Sequence, residues 1–170
     1  MKKYHSFYRQ TKVLEPMDAI KALSHDNNLV FTSGVFDVLH LGHIHFFREA
    51  KNIVGEKGKL VVAVHADEIV REKKGEDRPY MKLEERIELL SELICIDYVI
   101  PWDGWEDISD LALSIQPHYL AVTQKSFEHT RRGKWQGKTW QYVAEELGAV
   151  IKEIPVFRNY ASSRYSHLFD

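Results

Sequence analysis

The stretch SGVFDVLHLGHIHFFREAKN, residues 33–52, decides how this chain reads. NLVFTS, residues 28–33, runs into it as a strand of apolar and β-branched residues. HIHFFREAKNIV, residues 43–54, leaves it as a helix that sets Phe46, Phe47, Ala50 and Val54 on one face. Between the two lies a bend marked by Gly34 and Gly42 that carries Asp37, His40 and His43. Gly34 admits close approach of backbone to a ligand, and Gly42 loosens the helix entry. The free amides of a helix start favour an anion. Two imidazoles three residues apart can flank one point there and donate hydrogen bonds to phosphate oxygens.

Outward from this bend the strand-then-helix pattern repeats. KLVVAVH (residues 59–65) is a continuous apolar run, as in a strand covered on both faces. KLEERIELLSEL (82–93) is amphipathic, with Leu83, Ile87, Leu90 and Ile94 expected to point inward. DYVIP (97–101) reads as the third strand, closed by Pro101, and EDISDLALSI (106–115) as a helix. HYLAVT (118–123), the helix TWQYVAEELG (139–148) with Gly148 as its cap, and AVIKEI (149–154) complete the series. The alternation predicts an α/β fold: a Rossmann-like, doubly wound parallel sheet in a single domain over residues 28–170. Residues 1–27 read as an N-terminal extension holding one short helix that opens at Pro16. Such sheets bind ligands at the carboxyl ends of their strands, so the residues after Thr32, Val64, Pro101, Thr123 and Ile154 are the ones to inspect.

The remaining features narrow the class. A length of 170 residues suits one domain with a real core. A net charge of -2 gives no general attraction to nucleic acid or acidic membranes, so any anion site must be local. The longest plain apolar run, residues 60–64, is far too short to span a bilayer, and the start MKKYHSFYRQ lacks the apolar block of a signal peptide. Cys95 is the only cysteine and reads as a core residue. These features lead us to expect a cytoplasmic protein. A metal site built from His40, His43 and His45 is the rival reading of the histidines, but residues two apart do not share a helix face.

GVFDVLHLGHIHFFREAK resembles the first signature of the cytidylyltransferase-like nucleotidylyltransferases, in which His-x-Gly-His follows Gly-x-Phe-Asp. That group includes glycerol-3-phosphate cytidylyltransferase and the heptose-phosphate adenylyltransferases. The resemblance continues through REKKGEDRPYMKLEERIELLSELICIDYVIP, to residue 101, and is patchy to about residue 165. It implies transfer of a nucleoside monophosphate from a nucleoside triphosphate to a phosphorylated sugar or polyol, with release of pyrophosphate. On this likeness His40, His43 and Lys73 would be catalytic. Ser33, Gly34, Val35, Phe36, Asp37, Gly42, Lys74, Arg86 and Thr123 would surround the nucleotide. Asp37 would either orient the loop or hold metal, and Mg²⁺ would bridge phosphates, with no dedicated protein metal site. Arg78 and Trp105 would border the acceptor. The likeness also implies a homodimer, without nucleic-acid or membrane partners.

Three departures stand out. After the fourth strand, relatives carry Gly-Asp-Asp or Gly-Gly-Asp, and this chain has VTQKS, so Gln124 and Lys125 would meet the acceptor instead. The hydroxyl-rich start of the family's last helix survives as Ser162 and Ser163, followed by Arg164, which would receive the outer phosphates. The Arg-Tyr-Val-Asp of cytidylyltransferases is replaced by ICID, residues 94–97, which tilts the expectation from CTP towards ATP with Ile94 against the base. The lost glycine and aspartate keep open a catalytically degenerate nucleotide-binding protein of the same fold.

Overall fold

The structure, a computed structural model, describes residues 9–103, 107–123 and 139–157. Five parallel strands, β1 (Leu29–Gly34), β2 (Lys59–His65), β3 (Tyr98–Trp102), β4 (Tyr119–Thr123) and β5 (Val150–Ile154), lie in the order β3-β2-β1-β4-β5. The helices are α1 (Arg9–Lys12), α2 (Pro16–Leu23), α3 (Leu41–Val54), α4 (Asp67–Lys74), α5 (Leu83–Ser91), α6 (Ile108–Ile115) and α7 (Trp140–Leu147).

Side chains of the central strands alternate between two apolar layers, as the pleat requires. Leu29, Phe31, Val61 and Ala63 join α2, α6 and α7 in one layer. Val30, Leu60, Val62 and Val64 meet Phe46, Phe47 and Ala50 of α3 and Ile87 and Leu90 of α5 in the other. Helices therefore cover both faces, which is the doubly wound arrangement read from the sequence. Pro101 does not close β3; it pairs with Val64 inside the strand. β3 lies at the edge of the sheet, where a residue without an N–H is tolerated.

Three local expectations are corrected, those for helix α4, Ile94 and Cys95. Helix α4 was not separated from the charge run that contains it, because six of its eight positions are charged and only Val70 is buried. Ile94 does not extend the inward face of α5. The helix ends at Ser91, and Ile94 is 97% exposed in the turn before β3. Cys95 beside it is half-buried rather than core, with burial raising its thiol pKa. The segment before residue 28 is packed against the sheet. Ala19 and Leu23 are fully buried in the α2–α6–α7 layer, Val13 forms a parallel bridge to Val99, and Leu14 N–H donates to the Val99 carbonyl.

One buried charge ties the upper rim of the sheet together. Arg86 of α5 is 0% exposed. Its Nη1 donates to the carbonyls of Val35 (2.6 Å) and His65 (2.9 Å), its Nε to Met81 (3.0 Å), and its Nη2 to Asp67 Oδ1 (2.6 Å). The planar fork thus holds the loop after β1, the end of β2, the first turn of α4 and the entry to α5. Removing the guanidinium would strand a carboxylate and three carbonyls. Arg86→Ala is expected to cost about 3–5 kcal/mol of unfolding free energy, read as a large drop in the urea midpoint. Arg86→Lys is expected to recover little of it, because one ammonium cannot reach four acceptors in a plane.

Candidate functional site

The sheet opens at one place. β1 pairs with β2 through Gly34 and β4 with β5 through Thr123, yet β1 and β4 pair only at Val30–Tyr119 and Phe31–Leu120. Beyond those rungs the two strands part, at the point where the strand order reverses. A cavity of about 310 Å³ occupies the opening. Thr32, Ser33 and Gly34 of β1 line it against Ala121, Val122 and Thr123 of β4. Val35, Phe36 and Asp37 form its rim, and His40, Gly42 and His43 enter from the start of α3. Lys74 reaches it from the last residue of α4.

The loop after β1 is strained and held. Phe36 and Val38 have positive φ values of 52° and 58°, unusual for bulky and β-branched residues. Asp37 lies between them, 2% exposed. Its Oδ2 accepts from Arg78 Nε (2.9 Å) and Tyr80 N–H (3.0 Å), and its Oδ1 from Met81 N–H (3.0 Å). Arg78 Nη2 also lies 2.7 Å from Oδ2, and its guanidinium stacks over the Tyr80 ring. Both Asp37 oxygens thus accept hydrogen bonds that hold the loop, which supports the orienting role of the two read from the sequence. Gly34 has a packing reason too. A Cβ there would stand 2.8 Å from Phe36 Cζ, and the Phe36 ring is fixed against His43 and Phe47 at centroid distances of 5.6 and 5.0 Å.

His40 is the N-cap of α3, with extended φ and ψ, and its carbonyl receives the N–H groups of His43 and Ile44. The amides of Leu41 and Gly42, at the first two helical positions, have no acceptor within the helix. The His40 and His43 rings stack at 3.9 Å and 16°. His45 turns away and stacks on Phe157 at 4.7 Å. The three histidines therefore do not converge, and among the described residues no group of three potential ligands is placed to hold a metal ion.

The electrostatics point to an anion. Burial, then the neighbouring His40 and Lys74, push the His43 pKa down to about 3. Burial lowers His40 as well. Lys74 is lowered by burial and by Arg78, and burial brings Lys73 down to about 8. His65, buried at the end of β2, is pushed to about 3 by burial and by Lys73, Arg86 and Lys74. These groups are cations by nature, crowded where positive charge is disfavoured, and a bound polyanion would reverse the balance.

The assigned residues divide accordingly. The structure brings Ser33, Gly34, Val35, Phe36, His40, Gly42, His43, Lys74 and Thr123 around one cavity. Lys73, one residue before Lys74, does not line it. Arg86, read as a nucleotide contact, is consumed by the internal hydrogen bonds above, and Arg78, read as an acceptor contact, is held by Asp37. Trp105, Gln124, Lys125, Ser162, Ser163 and Arg164 lie outside the described residues. Ile94 sits before β3, at the end of the sheet remote from the cavity, so it cannot touch a base there; that ground for preferring ATP is removed. Sequence reasoning missed the apolar wall made by Phe46, Trp140, Pro155, Val156 and Phe157. Residues 155–157 follow the last strand and are as well placed as those after β1, but they carry no polar signature.

Comparison with known proteins follows the geometry. The family model described as cytidylyltransferase-like matches residues 31–167. The bifunctional protein HldE of Aliarcobacter butzleri is 32% identical over 143 residues, covering 82% of this chain and 27% of that protein. HldE of Hydrogenovibrio crunogenus is 45% identical over 82 residues, 48% of this chain and 16% of that protein. The chain thus spans about a quarter or less of these curated relatives. A crystal structure of a lipopolysaccharide core biosynthesis protein from Thermoplasma volcanium is 27% identical, with a TM-score of 0.57, covering 78% of this chain and 98% of that one.

The depressed histidines carry a stability consequence. His43 and His65 stay neutral in the folded protein down to about pH 3, whereas the unfolded chain takes up their protons below the ordinary 6.5. The unfolded state binds more protons in that window, so stability is full above pH 6.5 and falls as the pH drops towards 3. Each histidine contributes a slope approaching about 1.4 kcal/mol per pH unit. Urea midpoints measured from pH 7 to 5 are expected to fall steeply, and His65→Asn is expected to remove roughly half of the dependence. A flat profile in the wild type would contradict the neutral-histidine picture.

Proposed function

Because the chain belongs to the cytidylyltransferase-like family, we propose that its cavity binds a nucleoside triphosphate and transfers the nucleotidyl group to a phosphorylated sugar or polyol. One observation carries the reading. At the switch point of the sheet, a stacked imidazole pair, the start of α3 at Gly42 and a lysine line one cavity, where burial lowers the pKa of all three side chains and an anion would favour their charged forms. Similarity to proteins named HldE, and to one named for lipopolysaccharide core biosynthesis, supports a sugar phosphate as the acceptor.

An oxygen of the acceptor phosphate attacks the α-phosphorus. The bond to the bridging oxygen of pyrophosphate breaks on the opposite side, and its electron pair leaves with pyrophosphate. The protein supplies position and charge stabilisation and forms no covalent bond of its own. His43 and His40, with the amides of Leu41 and Gly42, hold the α- and β-phosphate oxygens. Lys74 meets the outer phosphates from the α4 side. Mg²⁺, a hard cation that prefers oxygen ligands, would accompany the triphosphate and screen its charge, while Asp37, which accepts from Arg78, Tyr80 and Met81, orients the loop. ATP and CTP are the two donors to compare.

The test is pyrophosphate release, crossing ATP and CTP with a panel of sugar and polyol phosphates. A protein that binds nucleotide yet releases none with any acceptor would be a degenerate binder. In the active pair, His43→Ala is expected to lower turnover by a hundredfold or more, about 3 kcal/mol, with a much smaller effect on nucleotide affinity. Unchanged turnover in a folded variant would remove His43 from the chemistry.

A further inference from the structure

The cavity has two chemically different ends, and the topology separates them. The cationic end, with His40, His43 and Lys74, lies on the β1–β2 side, because α4 follows β2. The apolar end lies on the β4–β5 side, where Pro155, Val156 and Phe157 leave β5 and Trp140 opens α7. From β2 to β5 is three strand intervals, about 14 Å. Val156 is 41% exposed and Phe157 is half-buried, so this wall presents apolar surface towards the opening. Phe157 is the aromatic ring of that lip. Behind it stands His45, which does not itself line the cavity, stacked on Phe157 at 4.7 Å and 28°. His45 is anchored in the second turn of α3, the same helix whose first turn presents His40 and His43.

We infer that His45 is a positioning residue that fixes Phe157 as the surface against which the heterocyclic base of the nucleotide packs. The inference rests on the nucleotide-binding reading above and adds how the base end is built. One helix then sets both ends of the ligand: its first turn holds the phosphates, and its second turn, through Phe157, holds the ring. A planar ring gains from stacking on an aromatic face without being read by hydrogen bonds, so the contact serves purine and pyrimidine alike. A flat imidazole supports the phenyl ring from behind, and an aliphatic or truncated residue leaves it free to turn.

The experiment is calorimetric titration of the full chain with ATP, CTP and inorganic tripolyphosphate, for wild type, His45→Ala, His45→Phe and Phe157→Ala. His45→Ala and Phe157→Ala are expected to weaken ATP and CTP about tenfold and leave tripolyphosphate unchanged, and His45→Phe is expected to restore the loss. Equal weakening of nucleotide and tripolyphosphate by His45→Ala would mean general damage to α3 and would overturn the inference. So would wild-type nucleotide affinity in His45→Ala, or failure of His45→Phe to recover it; either leaves the nucleotide-binding reading in place. Wild type that binds tripolyphosphate and gains nothing from the nucleoside overturns the base surface alone. Wild type that binds none of the three removes the nucleotide-binding reading and the inference with it.

Discussion

A single guanidinium, with no exposure to water, holds the working edge of this protein in shape. Arg86 donates to the first loop, to the end of β2, to the entry of α5 and to a carboxylate on α4. An unpaired buried cation would be costly, so the four acceptors and the arginine stabilise one another's positions. Asp37 performs the complementary task from the loop, collecting two backbone N–H groups and Arg78. Between them these two charges hold a backbone that has two non-glycine residues at positive φ. The strained loop keeps Phe36 over Gly34 and against His43, and so fixes the imidazole pair at the mouth of the sheet. Precision at the cavity is therefore supplied by Asp37 at its rim and by Arg86, which does not line it.

The cavity is the result of two strands that cease to pair. Parallel β1 and β4 share only two rungs before they separate, and the segments released there line the cavity together with Lys74 after β2 and residues 155–157 after β5. What fills the space on one side is a group of basic side chains whose charged forms burial disfavours. Empty, such a cluster is a penalty on the fold; with an anion in place, each member regains its proton at a higher pH and its full attraction. His43 thus bears on both anion binding and acid sensitivity.

Much of this was legible in the residues, and the exceptions have physical causes. Strands with continuous apolar runs, such as KLVVAVH, matched their sequence spans because burial on both faces leaves a strong signal. Helix α3 was legible from Phe46, Phe47, Ala50 and Val54, all buried as the 3.6-residue period requires. Helix α4 was not, since it buries only Val70 and its charges resemble a solvated loop. Ser33 to His43 could be read as a phosphate site because helix starts, glycine and imidazoles have local chemistry. Arg86 and Arg78 were read towards ligands, and Asp37 towards either loop or metal, because charge in a sequence does not reveal whether its partner will be substrate or protein. Ile94 was misplaced by a helix that ends at Ser91, two residues before the end of the span read from the sequence. His45 reads as a rival metal ligand until Phe157, more than a hundred residues away, is seen against it.

The parallel bridge between Val13 and Val99 has a bearing on how the domain can be cut. β3 is an outer strand, and its free side is met by residues 13 and 14, where Leu14 N–H reaches the Val99 carbonyl. Outer strands with unpaired backbone groups invite pairing with other chains. A chain trimmed to begin at residue 28 keeps every group that faces the cavity, yet it loses this cover together with the fully buried Ala19 and Leu23. Such a fragment would retain its ligand chemistry and become prone to self-association, since residues 13 and 14 cover the outer edge of β3.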